Sequence, residues 1–147
     1  MKKILLYIWQ LQQNLLALFL IAISTDKIKR EFVCNDGSTV TIYFVNSVFG
    51  AGVSLGNYIL LDKSSYLGLS AIARNTFIKT INHEHGHQIQ SKYLGPLYLL
   101  IVGVASAIFN NLWDRLMHKH WPYSKRITWY YNRFPEKWAD NLGGVSR

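Results

Sequence analysis

His83-Glu84-His85-Gly86-His87, within the longer run Ile81-Asn82-His83-Glu84-His85-Gly86-His87-Gln88-Ile89-Gln90, contains the pattern His-Glu-x-x-His. Its spacing has chemical meaning only on a helix. The surrounding residues predict one that starts between Ser70 and Thr76 and ends near Tyr93. Gly95 lies just past that end and Pro96 is placed to start the next helix. Residues four apart on a helix are rotated by about 40°, so His83 and His87 share a face and both imidazoles can reach one metal ion. Glu84 is the next residue round. It sits beside such a metal rather than on it, where it can take a proton from a water. His85 points about 200° away from His83 and falls with Ile78, Ile81 and Ile89. It reads as a structural residue on the packed face, and Gly86 as a small residue for close packing beneath the helix.

A catalytic zinc usually has three protein ligands and keeps one position open. The chain has only two other glutamates. Glu31 belongs to an upstream hairpin. Glu136 opens a last short helix that should begin at Pro135 and close at Gly143 and Gly144. Glu136 and Asp140 are again four apart and face the same way. Glu136 can then bind the metal while Asp140 orients one ligand histidine, since a metal-bound imidazole nearly always donates its other N–H to a carboxylate or carbonyl.

His83-Glu84-x-x-His87 followed by Glu136-x-x-x-Asp140 resembles the gluzincin pattern of thermolysin-like metallopeptidases. The resemblance implies zinc held by His83, His87 and Glu136, catalysis by Glu84, and Asp140 bracing the first histidine. It covers the two motifs and the order of strands before the motif helix. Pro135 stands where thermolysin-like enzymes have Asn, and the chain lacks the length for the usual second lobe of the cleft.

Upstream, residues 29–35 and 38–45 read as a β-hairpin turned by Asn35-Asp36-Gly37-Ser38. Thr39, Thr41 and Tyr43 alternate with Val40, Ile42 and Phe44, the period of a strand. Gly50 and Gly52 mark a loop, and a third strand runs through Asn57–Leu61. The expected fold class is therefore α+β: a small zincin-like domain in which a three-stranded antiparallel sheet precedes the active-site helix, an apolar helix and a short C-terminal helix. The expected division is an N-terminal apolar helix over 1–24 and the metallopeptidase domain over 25–147.

With 147 residues, half of them hydrophobic and only 16% charged, the chain is greasier than soluble domains, which carry about 25% charged residues. Such a surface should include apolar areas that meet something other than water. The net charge is +8, but the basic residues form no run with interleaved stacking aromatics, so no nucleic-acid module is expected. A membrane surface fits better. Residues 4–9 and 15–23 are apolar, interrupted by Gln10, Gln12, Gln13 and Asn14. Those amides make a lipid-facing span costly. They favour a helix in the membrane interface or packed on the protein. Residues 97–109 carry no charge, and both a buried core helix and a membrane-inserted one remain open for them. The basic residues on both sides give no orientation, and the lack of a credible export signal points the catalytic face to the cytoplasm. The single cysteine, Cys34, reads as a small filler. His118 and His120 read as exposed loop residues, with a second metal pair or oxyanion donors as the alternatives. Tyr130 and Tyr131 read as packing aromatics, with stabilisation of an oxyanion near the metal as the alternative.

Two functions from different classes follow. One is a zinc metallopeptidase acting on a peptide or protein substrate at a membrane, with Glu84 as general base. The other is a non-catalytic, membrane-associated metal-binding module. A fourth protein ligand, from His118 or His120, would mark the closed site of the second.

Overall fold

The computed structural model describes residues 2–46, 52–65 and 71–147. The motif helix, α3, spans Ala71–Leu94. It stops where Gly95 adopts a left-handed φ of 51°, a conformation that costs glycine little and ends the helix. Two helices precede the sheet, α1 (Lys2–Trp9) and α2 (Leu11–Ile23). The sheet is built from β1 (Lys27–Val33), β2 (Thr39–Val45), β3 (Gly52–Leu55) and β4 (Tyr58–Asp62).

The fold class is α+β, but the sheet corrects the three-stranded antiparallel expectation. It has four strands in the order β1-β2-β4-β3, and β2 pairs with β4 in parallel. The hairpin β1–β2 is antiparallel, as is β3–β4. Apolar alternation reports which face a side chain occupies and carries no information on the direction of the neighbouring strand. Residues 46–57 provide the crossover that parallel neighbours need, and β3 lies inside that crossover. Gly52, expected in a loop, is the first residue of β3, while Gly50, expected in the same loop, lies outside the described residues. The strand read over 57–61 is therefore central, and β3 is the edge.

Period-two alternation sorts the sheet's apolar residues onto two faces. Val40, Ile42 and Phe44 of β2 and Ile59 and Leu61 of β4 pack with Phe77 and Ile81 of α3. Val45, Leu55 and Leu60 face the other way and pack with Ala17 and Ile21 of α2. The sheet is thus sandwiched between α2 and α3. Cys34 belongs to the first cluster. Burial, with the charge of Asp36 adding to it, pushes its thiol up to about 11, so it is a core filler and not a nucleophile.

The N-terminal amides turn inward. The axes of α1 and α2 bend by 81° at Gln10, whose Nε2 donates to Ser91 Oγ at 2.7 Å. Gln13 Nε2 donates to the Gly95 carbonyl. Asn14 Nδ2 donates to the Tyr7 carbonyl, and Asn14 Oδ1 accepts the Asn57 backbone N–H. These three side chains have no exposed surface. The interruption of the apolar run is what docks the helix pair on α3 and the β3–β4 turn.

After α3, a 3-10 turn (Gly95–Leu97) leads into two π-helical stretches, Leu99–Gly103 and Ala105–Leu112, which continue into α4 (Trp113–Met117). Together they form one long helix, Leu99–Met117. Tyr98, Val102, Asn110 and Asp114 are buried and Ser106 is half-buried, a stripe with a spacing of four. An α-helix would let such a stripe drift round its axis. The wider π turns keep it facing the protein. Two shorter helices follow, α5 (Tyr123–Tyr131) and α6 (Glu136–Leu142). Pro135 caps α6 rather than opening it, a difference of one residue of the kind helix ends commonly show.

Candidate metal centre

Between residues 82 and 91, α3 is buried on nearly all sides, yet its side chains are mostly polar: Asn82, His83, Glu84, His85, His87, Gln88, Gln90 and Ser91. Buried polar groups must be paired, and their partners define the site. Asn82 Oδ1 accepts the Asn35 N–H at 2.8 Å, tying the hairpin turn to the helix. His85 is buried by that same turn, with Nε2 at 2.9 Å from both Asp36 Oδ2 and Ser38 Oγ. It is structural, as the helix reading predicts, but its neighbours are hairpin polar groups. Of the isoleucines grouped with it, Ile81 is in the core and Ile78 is 40% exposed.

The opposite side of α3 meets α6 at unusually short range. A Cβ built on Gly86 would lie 1.9 Å from the Ala139 carbonyl oxygen, and one on Gly143 would lie 1.9 Å from the Asn82 carbonyl oxygen. No other residue type allows backbone contact at both points. That contact brings the Glu136 and Asp140 side chains against the motif histidines. His83 Nε2 lies 3.1 Å and His87 Nε2 lies 3.2 Å from Glu136 Oε2. The three residues are all buried, with ligand atoms within 4.8 Å of one another.

The outer nitrogens are engaged too. His83 Nδ1 is 2.8 Å from Asp140 Oδ1, whose other oxygen accepts a bond from Arg147 Nε at 2.8 Å. A carboxylate only accepts, so His83 Nδ1 carries the hydrogen. His87 Nδ1 is 2.7 Å from Gln90 Oε1, and Gln90 Nε2 donates to the Pro135 carbonyl at 2.9 Å. This fixes the amide's orientation and puts the hydrogen of His87 on Nδ1 as well. Ser106 Oγ donates to Glu136 Oε1 at 2.5 Å. Each ligand candidate therefore has its far side occupied, and its near lone pair is turned toward the other two.

Three lone pairs aimed at one another repel unless a cation sits among them. Where a proton plays that part, the electrostatics show it. Burial pulls the His83 imidazolium down, but hydrogen bonds to Asp140 and Glu136 outweigh it and push the pKa up to about 9. Burial would likewise raise Glu136, and its bonds to His83 and His87 hold it well below the usual carboxylate range. The same spacing could also hold a metal ion. Ligand atoms of a tetrahedral zinc, at about 2.0–2.1 Å from it, lie roughly 3.3 Å apart.

Glu84 is buried beside this cluster and outside it. Burial raises its pKa, against the lowering pull of His87 and His83. Among the described residues its Oε2 has no hydrogen-bond partner. Gly52 makes room for it: a Cβ there would lie 3.2 Å from Glu84 Oε1 and 2.5 Å from Leu61 Cδ2. The cluster opens on a cavity of about 450 Å³ between β3 and the inner face of the long helix, with Ser54, Tyr98, Val102 and Tyr130 in its wall. Tyr131 packs edge-on against His83, and the Arg147 guanidinium lies over its ring. Its ring contacts are those of a packing aromatic, and it also lines the cavity beside the cluster.

His118 departs from the exposed-loop reading. It is half-buried, 3.2 Å from Asp114 Oδ1, and stacked on Trp121. His120 is exposed. Neither belongs to the metal cluster found among the described residues.

Sequence reasoning missed Gln90, Ser106, Gly52 and Arg147. Gln90 had a legible signal, since a side chain three residues after a ligand histidine lies one helical turn away on the same side. Gln90→Leu, which keeps the bulk and loses the acceptor, is expected to weaken any metal binding at this cluster about 10- to 100-fold, read by competition with a chromogenic chelator. Unchanged affinity would mean that His87 needs no help in holding its orientation. No protein-family model, no curated protein and no solved structure matches the chain.

Proposed function

We propose that the chain is a zinc-dependent peptidase that hydrolyses a peptide bond with Glu84 as general base. One observation carries the reading: three buried acceptors, His83 Nε2, His87 Nε2 and Glu136 Oε2, converge at ligand spacing. Beside them is a buried carboxylate oxygen with no partner of its own among the described residues. Two imidazoles and one carboxylate are a donor set for catalytic zinc. His83, His87 and Glu136 would hold the ion, Asp140 and Gln90 would hold the histidines, and Ser106 would restrict Glu136 to one oxygen. When bound, zinc supplies Lewis-acid polarisation of the scissile carbonyl and of water.

The remaining roles belong to the chain. Glu84 takes the proton of the attacking water as its oxygen bonds the carbonyl carbon. It delivers that proton to the nitrogen as the C–N bond breaks. β3 is the edge strand among the described residues and is the candidate to hold an extended substrate by backbone hydrogen bonds, with its Ser54 carbonyl already accepting the Tyr98 hydroxyl at 3.0 Å. This role passes to β3 from the strand read over 57–61, because β4 is paired on both sides. The alternative, a closed structural site, needs a fourth protein ligand, and the cluster among the described residues has three.

The test is metal analysis of the purified protein together with mass-spectrometric reading of a mixed peptide library. One zinc per chain is expected, with cleavage that 1,10-phenanthroline stops and added zinc restores. Stoichiometric zinc with an intact library would overturn the peptidase reading in favour of the non-catalytic metal module.

A further inference from the structure

Two separate segments carry their polar side chains inward and their apolar ones outward. In the long helix, Ser106, Asn110 and Asp114 face the protein while Leu100, Ile108 and Phe109 are 66%, 49% and 59% exposed. In the N-terminal pair, Gln10, Gln13 and Asn14 are fully buried while Leu15, Leu16 and Phe19 are exposed. A helix on a water-facing surface has the opposite arrangement. The segments adjoin: Trp9 lies against Gly95, and Leu99 packs on the cluster containing Ala17 and Ile21. The two segments are therefore neighbours, and each leaves large apolar side chains uncovered, the kind of surface that marks a contact with something other than water.

Lipid is the occupant that fits. Leu99–Met117 has 19 residues with only 17% of its apolar window buried, close to the roughly 20 that a bilayer core requires. Asn111 returns an amide N–H to the Ser106 carbonyl of its own helix and lines the cavity rather than the outer face. Charge decides between a bilayer and a second copy. Lys3 lies in the first turn of α1, Lys27 Nζ binds the Ile21 carbonyl in the last turn of α2, and the exposed Lys119 follows the end of the long helix. In a chain of net charge +8, a two-fold contact would bring these like charges together, whereas anionic headgroups neutralise them.

We propose that this surface is embedded in an anionic phospholipid bilayer, so that the cavity on the inner side of the same helix takes polypeptide presented at that membrane. The second half rests on the peptidase reading. Val102, Gly103, Ser106 and Ala107 line the cavity while the outer face of their helix meets lipid. The site then lies within about one helix diameter, 10–12 Å, of the acyl chains.

The experiment uses the zinc-loaded full chain and phosphatidylcholine vesicles with or without about a quarter phosphatidylglycerol. The protein is expected to float with the vesicles, more completely with the anionic lipid, and to resist extraction by alkaline carbonate. Brominated acyl chains should quench its tryptophan fluorescence, less so in Trp113→Phe. Leu100→Glu and Phe109→Glu should each lower the bound fraction at least about tenfold, with zinc content retained as the control for folding. A soluble dimer that ignores vesicles and is not quenched would overturn the proposal and assign the surface to a second copy. A peptide tethered to the vesicle should be cut at least about tenfold faster than the same peptide free, through its raised local concentration. Equal rates would overturn the presentation half. Vesicle binding without cleavage of either peptide would sink the peptidase reading alone.

Discussion

On the zinc reading, Gly86→Ala is expected to abolish tight metal binding, lowering affinity by at least about a hundredfold, although residue 86 has no atom that touches the candidate ligands. The added methyl would lie 1.9 Å from the Ala139 carbonyl oxygen and 2.7 Å from its carbon. Both are backbone atoms, so no rotamer change relieves the overlap and α6 must move as a body. Glu136 stands at the start of α6, one turn before Ala139, and its Oε2 closes the cluster at 3.1 and 3.2 Å from the two imidazoles. A shift of about an ångström takes it out of coordinating reach, where tolerance is about 0.2 Å. Asp140 moves with the same helix, so His83 loses its support in the same step. Overpacking of this kind also costs about 1–3 kcal/mol of stability. Thermal unfolding of the metal-free proteins measures that loss separately from affinity. The companion substitution Ala139→Gly should not rescue the site, because the clash is with the peptide carbonyl and not with a side chain. Wild-type zinc affinity in Gly86→Ala would show that the helices have room to spare and that their contact does not build the centre.

What could be read from the chain follows from how far each signal reaches. His83, Glu84 and His87 are legible because a helix fixes their relation through a period of 3.6 residues. Glu136 and Asp140 are legible because they repeat the spacing of four, and because the chain has so few glutamates to choose from. The hairpin is legible because Asp36-Gly37 announces it, and Gly37 does take a φ of 79°. The parallel pairing of β2 with β4 depends on where a crossover deposits a strand, which no local alternation encodes. β3 is only four residues long and begins at a glycine, so it resembles the loop it interrupts. Ser106 is the subtlest case. It looks like a stray hydroxyl in an apolar run, and only the π-helical turns that align it with Val102 and Asn110 bring it to Glu136. Of the four amides that make a lipid-facing span costly, Gln10, Gln13 and Asn14 are buried against Ser91, Gly95 and the turn at Asn57, and Gln12 stays exposed.

On the peptidase reading, Glu84→Gln should leave one zinc per chain and reduce kcat about 10³-fold, a rise of roughly 4 kcal/mol in the barrier. The two halves of this expectation come from two different observations. Zinc is retained because Glu84 is not among the three residues whose ligand atoms converge. Activity is lost because an amide of the same shape cannot accept a proton, and Glu84 Oε2 is the buried carboxylate oxygen beside the site that no described residue engages. A purely structural carboxylate would behave in the reverse way. Replacing it would cost stability and leave turnover per zinc-loaded molecule alone. The glutamine nitrogen would be buried without an acceptor, a cost of about 1–3 kcal/mol, so kcat must be measured per bound zinc and below the unfolding transition. Glu84→Asp supplies the internal standard. It keeps the base but draws it back by one methylene, so its kcat should fall between the other two with zinc unchanged. Turnover in Glu84→Gln equal to wild type would remove Glu84 from the chemistry. Loss of zinc from Glu84→Gln would instead make it a ligand, and the centre would then have the four protein donors of a closed structural site.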